Sequence, residues 1–550
     1  MLYSRLVSGA RICVAATALA LAVALPGTAL GSARLDRVSV AIGGAGADSW
    51  STAPAISGNG RFIAFTSSAG NLVLGDSNGT RDIFVRDRLL GTTERVSVAN
   101  DGSQANGDSD TAALSGDGRF VVFVSTATNL VTGDTNGHQD VFVRDRLLNT
   151  TERVSVSTGG TQADADSIAG PAISANGQSV AFASAATNLQ PGDTNGSTDI
   201  FVHDMGASHT TARISVSTAG TEALGWSYAP SLSAEGRFIA YQSDAANLVP
   251  GDFNSRYDVF VRDRATHATE RVSVSTAGAQ STDDSKFASI SGDGRFVAFT
   301  AFGDDMVAGD TNGANDVVVR DRTLHTTSLV SVTSGGAQAN GGGNFPSVSA
   351  DGRFVAFQSG ATNLVPGDTN GFWDLFVRDR LARVTERVSV ATGGTQGNAN
   401  SAYSNSEGIS GDGRFVALDS AATNFFTGDL NGVSDVFLAD RGQLAISVTR
   451  SPSKSSVTYK RKSGVAKFTL AATVKDARGV RIASATAYLQ SSANGKTGWH
   501  RIATIATNAS GVASKAFKAK KRSTTYYRWV VPVTDARLGK TTSKQKVVIT

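Results

Sequence analysis

Between about residues 37 and 440 the chain alternates short, almost continuously apolar runs with turns rich in Gly and Asp, and it does so at a fixed period. One unit represents the rest. It begins at Ala112-Ala113-Leu114-Ser115, turns at Asp117-Gly118 and enters Phe120–Val124, apolar at consecutive positions. Such a run predicts a strand buried on both faces, and an Asp-Gly pair has the chemistry of a tight hairpin. A polar loop ending at Asp140 leads to Val141-Phe142-Val143, again apolar throughout, and then to Glu152-Arg153-Val154-Ser155-Val156, where polar and apolar residues alternate. Alternation predicts a half-exposed outer strand whose charges oppose edge-to-edge pairing. The turn glycine recurs at Gly60, Gly118, Gly177, Gly236, Gly294, Gly352 and Gly413, in steps of 58, 59, 59, 58, 58 and 61.

Stacked four-stranded units with sandwiched inner strands and a polar outer edge predict a propeller, here of seven blades. The run Ser291-Gly292-Asp293-Gly294-Arg295-Phe296-Val297-Ala298-Phe299, followed by an Asp-Val-aliphatic strand, resembles the TolB-like propeller repeat. That resemblance implies a fold shared by translocation accessories, peptidase-associated domains and carbohydrate lyases, so it does not by itself imply one function. Copies of the outer strand lie at Arg37–Val40 and around Val96, Val154, Ile214, Val272, Val330 and Val388. The first precedes every complete unit and the seventh unit lacks its own. Arg37–Val40 is therefore expected to close the ring as the outer strand of the seventh blade, with Ala445–Val448 as the competing candidate.

Residues 1–33 read as a secretory signal peptide: Arg5 and Arg11, an apolar stretch from Ile12 to Leu25, Pro26, and the small residues Gly31-Ser32-Ala33. The 14 apolar residues fall short of the roughly 20 that span a bilayer. No transmembrane anchor is expected after cleavage, and the mature chain is expected to be secreted or associated with the cell surface. Cys13, the single cysteine, lies inside this segment, which leaves the mature chain without a disulfide or a thiol nucleophile.

The net charge of +4 conceals two opposite halves. Residues 446–550 carry 21 Lys and Arg against Asp476 and Asp535, a net of +19, while the residues before them carry 30 basic and 45 acidic side chains, a net of −15. The division predicts a propeller over 34–445 and a second, basic domain over 446–550. In the latter, strand-like stretches separated by Ser463-Gly464, Asn494-Gly495 and Ser510-Gly511 fit a β-sandwich. Gly498-Trp499-His500-Arg501-Ile502-Ala503, Asn508-Ala509-Ser510-Gly511 and Thr524-Thr525-Tyr526-Tyr527-Arg528-Trp529 resemble bacterial immunoglobulin-like modules, which implies a tyrosine-corner role for Tyr526 or Tyr527. The fold class is thus all-β: a seven-bladed β-propeller followed by an immunoglobulin-like sandwich. Lys518, Lys520, Lys521 and Arg522 form the densest basic cluster and are the candidate contacts to an anionic cell-wall polymer. Nucleic acid would satisfy the same charges, but export argues against it.

The signatures of hydrolytic or lyase chemistry are missing from this sequence. The six histidines do not recur in register and form no metal-binding spacing, and no G-x-S-x-G elbow stands at a strand-to-helix junction. His203 replaces a repeat arginine and His138 sits in a turn, so both read as solvated substitutions. Asp87, Asp145, Asp263, Asp321 and Asp379 each lie between two arginines and read as structural ion pairs. A ring of identical residues cannot build an asymmetric site, so candidate ligand contacts are sought where the repeat breaks: Trp50, Asp110, Trp226, Tyr228, Lys286, Phe287, Phe345, Tyr403 and Glu407. The bland alternative is that they plug the channel. The expected function is an exported binding protein recognising a glycan or a protein partner. A propeller-type polysaccharide lyase or glycosidase and a purely structural scaffold are the alternatives.

The most regular motif is Gly-Asp-x-Asn-Gly-x-x-Asp, seen as Asp134, Asn136 and Asp140. It recurs as Asp76, Asn78 and Asp82; Asp193, Asn195 and Asp199; Asp310, Asn312 and Asp316; Asp368, Asn370 and Asp374; and Asp429, Asn431 and Asp435. At Asp252-Phe253-Asn254-Ser255 the glycine is lost. Oxygen donors at alternate loop positions are what Ca²⁺ selects, and the motif resembles calcium loops of other propellers, though it is shorter and lacks their extra acid. The competing expectation is an Asx-type turn whose second aspartate meets an arginine of the neighbouring strand.

Overall fold

The structure, a computed structural model, describes residues 34–402 and 408–442 apart from 207–208 and 430, together with most strands of the segment 446–549. Residues 1–33, Tyr403, Glu407, Lys520, Lys521 and Arg522 lie outside the described residues. The chain is all-β. Seven four-stranded antiparallel sheets follow one another as the repeats do. Blade one runs from an innermost strand, Ser51–Ile56, through Phe62–Ser67 and Asp82–Asp87 to an outer strand, Thr92–Arg95. Each innermost strand packs on the preceding blade, and the innermost strand of blade one meets Phe415–Ser420 of blade seven, closing the ring.

The two ends of the propeller segment close the seventh blade, as expected, but three residues earlier than expected. Arg34–Arg37 pairs with Asp435–Asp440, with Arg34 opposite Asp440 and Arg37 opposite Phe437. The competing candidate belongs elsewhere, since Ile446–Ser451 pairs with Ala466–Asp476 in the second domain. The same shift recurs in every complete blade: the outer strand of blade two is Thr150–Arg153 rather than Glu152–Val156. A buried serine is the reason. Ser155 turns inward, donates from Oγ to Asp140 Oδ1 at 2.5 Å and accepts the Val141 N–H at 3.1 Å. Val154 still gives its N–H to the Val141 carbonyl at 2.9 Å, and beyond it the chain leaves the sheet edge, Val156 bridging to Gln162.

The Asp-Gly-Arg-Phe motif is an interblade joint. Gly118 has φ +75°, and a Cβ there would lie 2.3 Å from the Phe62 ring of the preceding blade. Only glycine tolerates both the left-handed backbone and the ring beneath it. That ring lies under Arg61, at 4.8 Å, and under Arg146 of blade two, at 4.3 Å. Each guanidinium is well placed for a cation–π contact. Arg61 also pairs with Asp87 at 2.6 Å, so the repeated Arg-Asp-Arg acid is a structural partner.

The first turns of the blades converge on the axis and bond to one another. Asn59 donates to Gly116, Gly116 to Ala175, Asn176 to Ala234, Ala234 to Gly292, Gly292 to Ala350, Ala350 to Gly411, and Gly411 to Gly58, over 2.8–3.3 Å between main-chain N and O. This closed ring of seven hydrogen bonds draws one end of the channel together. A Cβ on Gly116 would stand 2.9 Å from the Ala175 carbonyl oxygen, so only glycine fits there without a shift of the backbone.

The segment after the propeller forms two sheets, one of Ile446–Ser451, Ala466–Asp476 and Val512–Ala519, the other built around Thr486–Ser492 and Ser523–Val531. They share a core of Ala472, Ala487, Leu489, Ala513 and Trp529. Among the described residues no helix is long and apolar enough to cross a membrane.

Candidate functional site on the long-loop face

The loops joining the second and third strands, and those joining one blade to the next, share the face opposite the hydrogen-bonded ring. At that end the innermost strands are irregular. In six of the seven the pairing shifts register at one point, as between Tyr228 and Ser231 or Lys286 and Ser289. At these bulges Ala53, Thr111, Ala229, Phe287 and Phe345 have φ between +39° and +59°. Such a backbone is costly for Thr and Phe and persists only where its surroundings hold it. Gln242, on the second strand of blade four, does so for Phe287 by accepting its N–H at 2.9 Å.

Blades four to six gather most of the expected contacts. Trp226, 52% exposed, meets Tyr228 edge-on at 6.1 Å between ring centroids. Lys286 pairs with Asp284 at 2.6 Å and stands 4.6 Å over the Tyr257 ring. Phe287 and Phe345, on adjacent blades, lie 4.2 Å apart. The Tyr257 hydroxyl is pushed up by burial and by the charges of Asp244 and Asp284, so it stays a neutral donor at physiological pH. Asp110 stands apart in an ionic knot, bound by Arg81 at 2.5 Å and by Thr66. Arg81 also holds Asp108, whose carboxyl lies below its usual range because the Arg81 N–H and guanidinium favour the anion. Trp50 is half-buried and makes no ring contact with the other aromatics among the described residues.

Sequence reading overlooked Arg81, Asp108, Tyr257 and Gln242, because it searched for breaks in the loops entering the innermost strands. Gln242 and the buried Asp419 stand where sister blades carry Thr66, Val124, Ala183, Thr300 and Gln358. Applying the same search to the second strands would have found them. His203 is a correction: it is buried, not solvated, with Nδ1 2.9 Å from Thr211 Oγ1. Burial pushes its pKa down to about 4 and keeps it neutral.

The Gly-Asp-x-Asn-Gly loops lie at the outer part of this face. In blade two, Arg153 Nη1 sits between the two carboxylates, 2.9 Å from Asp134 and 3.1 Å from Asp140. Asn136 turns its amide nitrogen, not its oxygen, to Asp140 at 2.9 Å. Arg95, Arg213, Arg271 and Arg387 repeat the contact, and Arg37 approaches Asp429 at 4.0 Å. A calcium ion between these carboxylates would have to displace a guanidinium. The glycine missing from the fourth copy leaves Ser255 at φ +54°. Among the described residues no group of three His, Cys, Asp or Glu side chains is placed to hold a metal.

No family model matches the sequence, and no curated protein matches it. Several solved structures are similar. TolB from Acinetobacter baumannii matches at 14% identity over 60% of this chain and 63% of its own, with a TM-score of 0.35. An oligogalacturonate lyase in complex with manganese matches at 10% identity over 74% of this chain and 96% of its own, with a TM-score of 0.45. A prolyl endopeptidase matches at 13% identity over 78% and 55%, with a TM-score of 0.42. The chain thus spans less than two thirds of the TolB and endopeptidase structures. These are likenesses of fold, and the blade count and ring closure rest on the hydrogen-bonded sheets themselves.

Proposed function

We propose that the protein is an exported binding protein whose propeller takes up a glycan on its long-loop face and whose basic C-terminal domain, read as immunoglobulin-like, attaches to an anionic cell-surface polymer. The observation carrying this reading is the aromatic patch of blades four to six, with Trp226 half exposed on Tyr228 and Lys286 tied down beside it. Large rings held in fixed orientation offer apolar area with a polar edge at little entropic cost, which suits the faces of sugar rings. Lys286 is held by Asp284, and Asp244 accepts the Trp226 main-chain N–H, which favours holding a ligand over transforming it. The opposite end of the channel is drawn together by main chain and offers no comparable surface. A glycan array and a peptide array probed with the propeller test the reading. Trp226→Ala with Tyr228→Ala is expected to weaken the glycan bound by at least about tenfold while the melting temperature holds, a loss of about 1.4 kcal/mol. Unchanged affinity, or hits confined to peptides, would overturn it. For the tail, +19 in charge with Lys518 exposed, retention on teichoic-acid-type polymer should fall steeply between low and high salt.

A further inference from the structure

Six of the seven seams between blades carry a polar latch on their outer side. In five of them a side chain of one blade accepts an outer-strand N–H of the next, and the hydroxyl of that same threonine donates back to a valine carbonyl. Asn100 and Val98 hold Thr151 in this way at 2.5 and 2.6 Å, and Thr218 and Val216 hold Thr269 at 3.0 and 2.6 Å. Thr158, Thr276 and Ser334 do the same for Thr211, Thr327 and Thr385. At the sixth seam Thr392 accepts the Leu35 N–H at 3.3 Å. Among the described residues the seam between blades seven and one has no such side-chain latch, and Ile42 reaches blade one only through its main-chain N–H, given to the Asn71 carbonyl at 3.2 Å. Ile42 stands where the others have Asn, Ser or Thr, and is 56% exposed.

In place of the latch is a cavity of about 550 Å³, lined by Val40, Ile42, Leu72, Val73 and Leu74, with Arg86 and Thr93 on one wall. Its size is that of a small-molecule site. Arg86 donates one N–H to Thr93 at 3.0 Å. Its counterparts Arg262, Arg320 and Arg378 each give a further hydrogen bond to a carbonyl of the preceding blade, Ser217, Ser275 or Thr333, and Arg144 gives its second bond to Asn149 of its own blade. Among the described residues Arg86 forms no second bond of either kind, so a guanidinium faces an apolar cavity with donors to spare.

We propose that this seam binds an aliphatic monocarboxylate, with its carboxylate on Arg86 and Thr93 in place of the missing carbonyl and its chain on Val40, Ile42 and Leu72–Leu74. The site is distinct from the long-loop aromatic patch and does not depend on it. A guanidinium pairs best with a planar anion, and the apolar walls reward the chain. The experiment is calorimetric titration of the full exported chain with octanoate, octanol and acetate. Saturable 1:1 binding of octanoate is expected, at least about tenfold tighter than octanol, with acetate undetected. Arg86→Gln should abolish the preference for octanoate over octanol. Ile42→Thr, which rebuilds the latch and should fold at least as well, should lower octanoate affinity by about tenfold or more. Equal binding of octanoate and octanol, no saturable binding, or unchanged affinity in Ile42→Thr would each overturn the proposal.

Discussion

Blade five is the one blade in which the carboxylate pair of the Gly-Asp-x-Asn-Gly loop has lost its arginine. Leu329 occupies the position held by Arg95, Arg153, Arg213, Arg271, Arg387 and Arg37 elsewhere. Among the described residues no cation pairs with Asp310 or Asp316, and both are raised, by burial first and then by neighbouring carboxylates; Asp316 reaches about 6. Leu329→Arg should therefore stabilise the protein at neutral pH. From about 3.9 to about 6 is roughly 2 units at 1.36 kcal/mol each, so relieving Asp316 alone is worth at most about 3 kcal/mol. Asp258 stays at about 6 even beside Arg271, and burying another guanidinium has its own cost, which brings the expected gain to about 1–2 kcal/mol. At about 2.1 cal/mol/K per residue over about 410 residues, that raises Tm by about 1–2 °C. The sign follows from proton counts. Between about pH 4 and 6 the folded pair keeps protons that the unfolded chain has lost, so the penalty is absent below that window and complete above it. The gain should be full at pH 7 and shrink toward pH 4.5. Scanning calorimetry of both proteins at the two pH values decides it: an equal gain at both, or a loss at pH 7, would refute the electrostatic account.

Removing the closing segment is expected to be far more damaging. Deleting residues 34–40 exposes the edge of Asp435–Asp440 and removes the buried Leu35 and Val38, which at about 1.5–3 kcal/mol per side chain amounts to at least about 3 kcal/mol, read as a lower Tm or as aggregation. Gly118→Ala should cost about 1–3 kcal/mol in denaturant titration, because it forces a left-handed alanine against the Phe62 ring, whereas Gly137→Ala, with open space around its Cβ, should cost less. Calcium offers a clean contrast. Where an arginine already bridges the carboxylates, EDTA and excess Ca²⁺ should leave Tm unchanged, and any calcium effect that is seen should come from blade five and vanish in Leu329→Arg.

The repeat itself was legible in the chain because burial on both faces demands consecutive apolar residues, and a closed ring demands the same spacing each time. Seven phenylalanine- or serine-led second strands, seven Gly turns and one orphan outer strand at the N-terminus sufficed to predict seven blades and their closure. The extent of the outer strands was not legible: whether Val-Ser-Val pairs along the edge or folds inward depends on a hydrogen bond from Ser155 to Asp140, 15 residues away. Nor could spacing show that Arg153 reaches between Asp134 and Asp140, since a carboxylate pair reads the same whether a metal or a guanidinium lies between them. The loop breaks at Trp226, Tyr228, Lys286, Phe287 and Phe345 announced an asymmetric face, but which of them meet was decided by the bulges and by neighbours such as Tyr257 and Gln242 on other strands. The unlatched seam lies deeper still, because Ile42 becomes conspicuous only when the ring places it beside Arg86 and Thr93. Local sequence dictates period, burial and turn chemistry, whereas partners brought together across blades are set by the closure of the ring.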